Sequence, residues 1–289
     1  MVYFDDKLCR GRTAYDNLAK LHTDIVSVDE TDVSIAIKTE GKFGKTFVFL
    51  IPCLYYLAAQ YGKNSKITVS KGIYEKLGDL SKISQQHTLP LKTGFKVQLI
   101  QLKDEETAQS LSKQIAEDMP VEMSPLLHET IVAKIGEMFN NARGHSEAEY
   151  VLAGGYLNSF SGGGKRLCFM CYDTGIGIPD KVRGYLDETK DSLRDKQALG
   201  WALEPYNSTA GVEGIPRGQG FSLLREFVCL NRGVIRICTG NVLYTYDCRL
   251  EGSDPKEKFQ ELKHTFRGTL FEMHVNPDGR RYQYKGESR

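Results

Sequence analysis

Asp173-Thr174-Gly175-Ile176-Gly177-Ile178-Pro179 is the stretch on which the fold of this chain turns. The run before it, RLCFMCY over 166–172, is apolar and β-prone enough for a buried strand, so the acid is expected at a strand end. Gly175 and Gly177 let the backbone approach a planar ligand closely, and a carboxylate held there accepts a hydrogen bond from an exocyclic amine. Such a device suits the reading of adenine. The pattern D-x-G-x-G-x-P also describes many turns that bind nothing, so its meaning depends on what surrounds it.

Upstream, LLHETIVAKIGEMFNNAR over 126–143 has apolar residues at Leu127, Ile131, Ile135, Met138 and Ala142, which predicts an amphipathic helix. Glu137 and Asn141 are four apart and share a face of it, where a carboxylate can activate water and a carboxamide oxygen can ligate Mg²⁺. A solvated Glu and a polar helix-end residue would look the same in isolation. Strands are predicted over 149–157 and 165–172, joined by the glycine-rich loop NSFSGGG. Downstream, Arg217-Gly218-Gln219-Gly220-Phe221 opens another helix over 221–231. Glycines at a helix N-terminus favour phosphate through free N–H groups. Gly268-Thr269 leads the last strand-like run, 270–275.

In this order the four elements resemble the GHKL superfamily, the gyrase, heat-shock chaperone, histidine-kinase and MutL ATPases that share the Bergerat fold. Glu137 and Asn141 match its E-x-x-x-N box, and Asp173, Gly175 and Gly177 match its adenine box. Gly218 and Gly220 match its second glycine box, and Thr269 matches the threonine that supports the adenine-binding acid. The resemblance covers 126–275 and is similar to that of stand-alone bacterial histidine-kinase-like proteins. It implies an α+β sandwich with a mixed, mainly antiparallel sheet. It also implies adenine on Asp173, Mg²⁺ on Asn141, and Glu137 polarising the water that attacks ATP. A lid is implied over 180–217, with Ser208, Thr209 and Arg217 approaching phosphate when it closes. The segment before the second glycine box, with Gly211, Gly214, Ile215, Pro216 and Arg217, departs from the more glycine-rich family pattern.

The first 120 residues alternate strands (32–39, 66–70, 95–102) with helices (48–61, from 72, 105–119), which predicts a small α/β domain. Its strand-then-apolar-helix order resembles the STAS-like regions that accompany some bacterial GHKL proteins. The expected organisation is therefore 1–120 as a regulatory or interaction domain, 121–276 as the ATP-binding domain and 277–289 as a flexible polar tail.

Composition narrows the partners. A formal net charge of +1 with no basic stripe gives no nucleic-acid signature, and no apolar run reaches the roughly 18 residues of a membrane span. The N-terminus lacks the apolar core of a secretion signal. Cys168 and Cys171 form the one C-x-x-C; three apart on a strand they face opposite sides, so the seven cysteines read as reduced thiols of a cytoplasmic protein. His128 lies on the same helix as Glu137 rather than on a separate hairpin, which disfavours a complete sensor histidine kinase. Three classes follow: an ATP-hydrolysing switch that controls a protein partner or a homodimer, a serine/threonine kinase resembling anti-sigma factors, and a non-catalytic ATP or ADP sensor.

Overall fold

The computed structural model describes residues 2–5, 11–27, 32–38, 53, 64–69, 88–90, 96–101, 104–119, 121–145, 148, 150–159, 165–205, 207, 209, 220–250, 252–276, 279–284 and 287. Their strands, in chain order, are β1 Val2–Asp5, β2 Asp32–Lys38, β3 Asn64–Val69, β4 Thr88–Pro90, β5 Lys96–Gln101 and β6 Glu122–Met123. There follow β7 Tyr150–Ser159, β8 Lys165–Asp173, β9 Val234–Asp247, β10 Lys256–Val275 and β11 Arg281–Tyr282. The helices are α1 Gly11–Ser27, α2 Glu105–Glu117, α3 Pro125–His145, α4 Ile178–Leu186, α5 Asp195–Leu203 and α6 Gly220–Leu230.

The main sheet runs β4-β5-β7-β8-β10-β9, and every neighbouring pair in it is antiparallel. Parallel pairing is confined to the three-stranded sheet β1-β2-β3 and the short ribbon β11-β6. The α+β sandwich follows from the two-residue period of strands, which gives the sheet two different faces. On β8, Phe169 and Cys171 enter one core together with Ile235 and Ile237 of β9 and Phe271 and Met273 of β10. That face is covered by helices. On α3, Ile131, Ile135, Phe139 and Ala142 are buried, so Phe139 takes the position expected of Met138, which is only half-buried. Ser124 starts α3 by accepting the Leu127 N–H on its hydroxyl at 3.2 Å, and Pro125 follows where a missing N–H costs nothing. Asp104 caps α2 in the same way through the Thr107 N–H, and α2 packs on α3 through Leu111 and Ile115.

The other face is covered by α1, an element the sequence pattern did not announce. Leu18, Ala19, Leu21 and Ile25 are buried there, and α1 packs along β10. Its polar side chains are placed as well as its apolar ones. Asp16 Oδ1 accepts the Lys263 and His264 N–H groups at 2.6 and 3.1 Å, where the β9–β10 register shifts. His22 Nε2 lies 3.3 Å from the Tyr172 hydroxyl, and Tyr15 donates to Glu272. Cys168 belongs to this face and Cys171 to the opposite one, as a spacing of three on a strand requires.

The sheet takes β4 and β5 from before residue 120 and its other strands from after it, so backbone pairing of β5 with β7 crosses the boundary expected near residue 120. The strands expected over 32–39, 66–70 and 95–102 appear as β2, β3 and β5. Of the helix expected over 48–61 only Cys53 is described, helical and buried; the helix expected from 72 lies outside the described residues. The tail, expected to be flexible, is corrected in part. Arg281 and Tyr282 pair with Glu122 and Met123, and the Tyr282 ring is buried edge-on against Phe227 at 5.7 Å. An aromatic ring with a core to enter overrides the polar composition around it.

Glu272 is 1% exposed at the centre of the α1 face. Burial would raise its pKa, but the charges of Arg236 and His274 and the hydrogen bonds of His274 and Tyr15 hold it well below the usual carboxylate range. Cys168, Glu272 and His274 present ligand-type atoms within 4.8 Å of one another. Arg236 Nη1 lies 2.7 Å from Glu272 Oε1 and 3.3 Å from His274 Nε2, so a fixed guanidinium already stands where a metal ion would. The group is an ion-pair network. Arg236→Ala strands the Glu272 carboxylate and is expected to destabilise the fold by about 3 kcal/mol in urea unfolding, with much of the loss recovered in Arg236→Ala/Glu272→Gln.

Candidate functional site

Asp173 is the last residue of β8, and the antiparallel register sets it directly opposite Thr269 on β10 and Val151 on β7. It is 5% exposed. Oδ1 accepts the Gly175 N–H at 3.0 Å. Burial raises its pKa to about 7, against the lowering effect of the Gly175 and Thr269 backbone N–H groups. A carboxyl group at the end of a core strand is therefore close to half ionised at neutral pH. Turns do not need that.

Two glycines shape the space beside it. Gly268 has φ +75, and a Cβ there would lie 1.9 Å from the Asp173 carbonyl oxygen. Gly177 has φ +83, and a Cβ there would meet Thr239 Oγ1 at 2.8 Å and the Gly268 carbonyl at 3.0 Å. Only glycine fits either place. Thr239 joins the two turns: its hydroxyl donates to the Gly268 carbonyl at 2.8 Å, accepts the Ile178 N–H at 3.1 Å and lies 3.4 Å from Thr269 Oγ1. The Ile178 N–H opens α4, so one threonine ties the helix start to the β10 turn.

Beyond this corner, Arg183 on α4 bonds Asp195 Oδ1 at 2.8 Å with both groups buried, and also binds Asp180. Asp195 Oδ2 accepts the Asn241 N–H of β9 at 2.7 Å. The start of the expected lid is thereby held to the sheet. Thr209 is half-buried; Ser208, Arg217 and Gly218 lie outside the described residues, and Gly220 is the first residue of α6.

Glu137 and Asn141 both lie on α3, away from its buried stripe, Glu137 half-buried and Asn141 exposed. Lys134, one turn earlier, donates to Glu137 Oε2 at 3.0 Å. The described structure thus gathers Asp173, Gly175, Gly177 and Thr269 into one corner and sets Glu137 and Asn141 on the helix of the adjoining layer. Sequence reasoning missed Thr239, Arg183 and Asp195. Lone polar residues in a strand and in a charged run carry no spacing signal. Glu272 and His274, in alternation with Phe271 and Met273, did mark a two-faced strand.

No family model and no curated protein matches the chain. Among solved structures it is similar to the histidine kinase domain from the Erythrobacter litoralis EL346 blue-light activated histidine kinase, with 12% identity over 91% of this chain and 93% of that one and a TM-score of 0.25. At so loose a superposition, function has to rest on this chain's own residues.

Because Asp173 has a raised folded pKa, its neutral form favours the fold fully below about pH 4, and that contribution is lost as pH rises through about 7. Asp173→Asn keeps an acceptor for the Gly175 N–H and has no charge to bury. Without ligand it is expected to gain stability over the wild type by an amount that widens from pH 5 to pH 8, reaching about 1–3 kcal/mol in urea unfolding.

Proposed function

We propose that the chain is an ATP-binding protein of the GHKL type that hydrolyses ATP and works as a nucleotide-dependent conformational switch for a protein partner or a second copy of itself. The observation that carries this reading is the buried Asp173 carboxylate at the end of β8, with the positive-φ turn at Gly268 packed against it. Burying an acid is costly for folding, so its retention at a strand end argues for a ligand donor. The exocyclic amine of adenine is such a donor, and its hydrogen bond would favour the charged carboxylate. Gly175 would let the backbone approach the flat ring closely. The hydroxyls of Thr239 and Thr269 would hold a bridging water at the edge of the base.

The phosphates would extend toward α6, whose first turn, from Gly220, would direct its backbone N–H groups at them, with Arg217 and Gly218 just before it in sequence. Asn141 would hold Mg²⁺ through its carboxamide oxygen; an exposed single ligand suits an ion that keeps most of its waters. When bound, that ion supplies charge neutralisation across the phosphates. Glu137 would polarise the attacking water, for which its carboxylate must let go of Lys134. Exchange of Lys134 from Glu137 to a phosphate oxygen would accomplish this and leave the Glu137 carboxylate to accept from the water. The α4–α5 segment, clipped by Arg183 and Asp195, is the portion of the lid that stays with the sheet.

Calorimetric titration with Mg²⁺-ATP tests binding. Asp173→Asn is expected to weaken it by about 100-fold while the protein stays folded, from the loss of a charged acceptor. Unchanged affinity in that folded variant overturns the reading. Glu137→Ala is expected to bind ATP within about threefold of wild type and to release phosphate about 100-fold more slowly. If the wild type releases phosphate no faster than Glu137→Ala, hydrolysis falls and binding alone or phosphoryl transfer to a protein remains.

A further inference from the structure

The connectivity of α1 assigns it to one sheet, and its side chains assign it to another. It leaves β1 and leads into β2, which pair in parallel, so in chain order it is the crossover helix of the small sheet. Yet it packs along β10 of the large sheet, and its hydrogen bonds end next to the candidate nucleotide corner. Asp16 accepts two consecutive backbone N–H groups, Lys263 and His264, where the register of β10 on β9 slips between Glu261 and Phe266. Thr23 adds a contact to the Thr265 carbonyl at 3.5 Å. Three and four residues beyond that carbonyl come Gly268 and Thr269, the wall against Asp173.

A second line runs through His22. Its ring stacks on Phe266 at 5.7 Å, Phe266 packs edge-on against Tyr172 at 5.5 Å, and His22 Nε2 meets the Tyr172 hydroxyl. Tyr172 is the residue before Asp173. Arg267 then closes the circuit, its Nε donating to the Thr174 carbonyl at 3.3 Å. Burial, reinforced by the Arg267 charge, lowers the His22 pKa to about 3, so the ring is neutral, and the Tyr172 hydroxyl it meets also lies 3.5 Å from the Arg267 carbonyl. Both lines begin on one helix and end on the two residues that pair across the corner, Asp173 and Thr269.

We propose that Asp16 and His22 are positioning residues for the nucleotide corner, and that α1 thereby couples the parallel β1-β2-β3 sheet to nucleotide affinity. The coupling rests on the nucleotide reading of Asp173. A shift of α1, driven by whatever the parallel sheet contacts, moves the β10 bulge and Tyr172 together. It therefore changes how Gly268 and Thr269 close on Asp173. By linkage, a nucleotide seated on Asp173 stabilises the docked position of α1 to the same extent.

The test uses the full chain with Asp16→Ala, Asp16→Asn and His22→Phe, and Asp173→Asn as reference. Asparagine keeps the side-chain oxygen that receives both N–H groups, and phenylalanine keeps the ring stack while losing the bond to Tyr172. Mg²⁺-ATP affinity is expected to fall about tenfold in Asp16→Ala and to return to within about threefold of wild type in Asp16→Asn, with His22→Phe in between. In the absence of nucleotide, amide exchange is expected to quicken over 173–177 and 266–270 in Asp16→Ala and not in Asp16→Asn. A folded Asp16→Ala protein with wild-type affinity and wild-type exchange at those amides overturns the proposal, even where its melting temperature drops. Loss of binding in Asp173→Asn alone keeps the nucleotide reading and removes the coupling. Absence of ATP binding in the wild type removes the nucleotide reading, and the exchange comparison then decides whether α1 positions the corner.

Discussion

The pairing of Asp173 with Thr269 across β8 and β10 is the constraint from which the rest of the described structure can be followed. At that point a buried carboxyl group, a glycine turn with positive φ and a threonine hydroxyl network are packed so closely that neither Gly177 nor Gly268 could carry a Cβ. The helix α4 can start only because the Ile178 N–H finds Thr239, and α5 is held because Asp195 reaches both α4 and β9. Misalignment of β8 and β10 by one residue would turn Asp173 from the corner and exchange the two faces of the sheet.

Those two faces are unlike in chemistry. The face toward α2, α3, α5 and α6 is filled mainly by aliphatic and aromatic side chains, with the buried acid Asp173 in phase with Phe169 and Cys171 at the end of β8. The α1 face contains Glu272, Arg236, His274, Tyr15 and His22, each with partners. An apolar interface tolerates small rotations because dispersion contacts are many and individually weak. A hydrogen-bonded interface has fewer acceptable arrangements, and this one lies on the opposite face of the sheet from Asp173.

The large elements were legible because they are periodic. The strand before Asp173, the helix holding Glu137 and the helix after Gly220 each carry a pattern that survives being read one residue at a time. The glycines at 175 and 177 were legible through backbone freedom, and Gly177 uses it. Gly268 was noticed only as the lead into a strand, although its φ and its contact with Asp173 matter more to the corner. What stayed hidden depends on partners far away in sequence. Thr239 is one polar residue in a long strand whose role exists only when Gly268 and Ile178 arrive, and α1 shows its purpose only against β10. The tail misled because its composition is polar, whereas a single tyrosine with a place in the core decides its course. Positions 217 and 218, proposed for the phosphate end, lie outside the described residues.

The contact between Tyr15 and Glu272 joins residues separated by 257 positions. During synthesis α1 emerges long before β10, the strand that covers its buried side. For most of that interval the surface formed by Leu18, Leu21 and Ile25 has no final partner. α1 therefore stays without its final partner until β10 has been made. Its docking on the large sheet then depends on closing the long loop between Tyr15 and Glu272 rather than on local helix formation. In that interval the apolar side of α1 is a surface that a chaperone could shield.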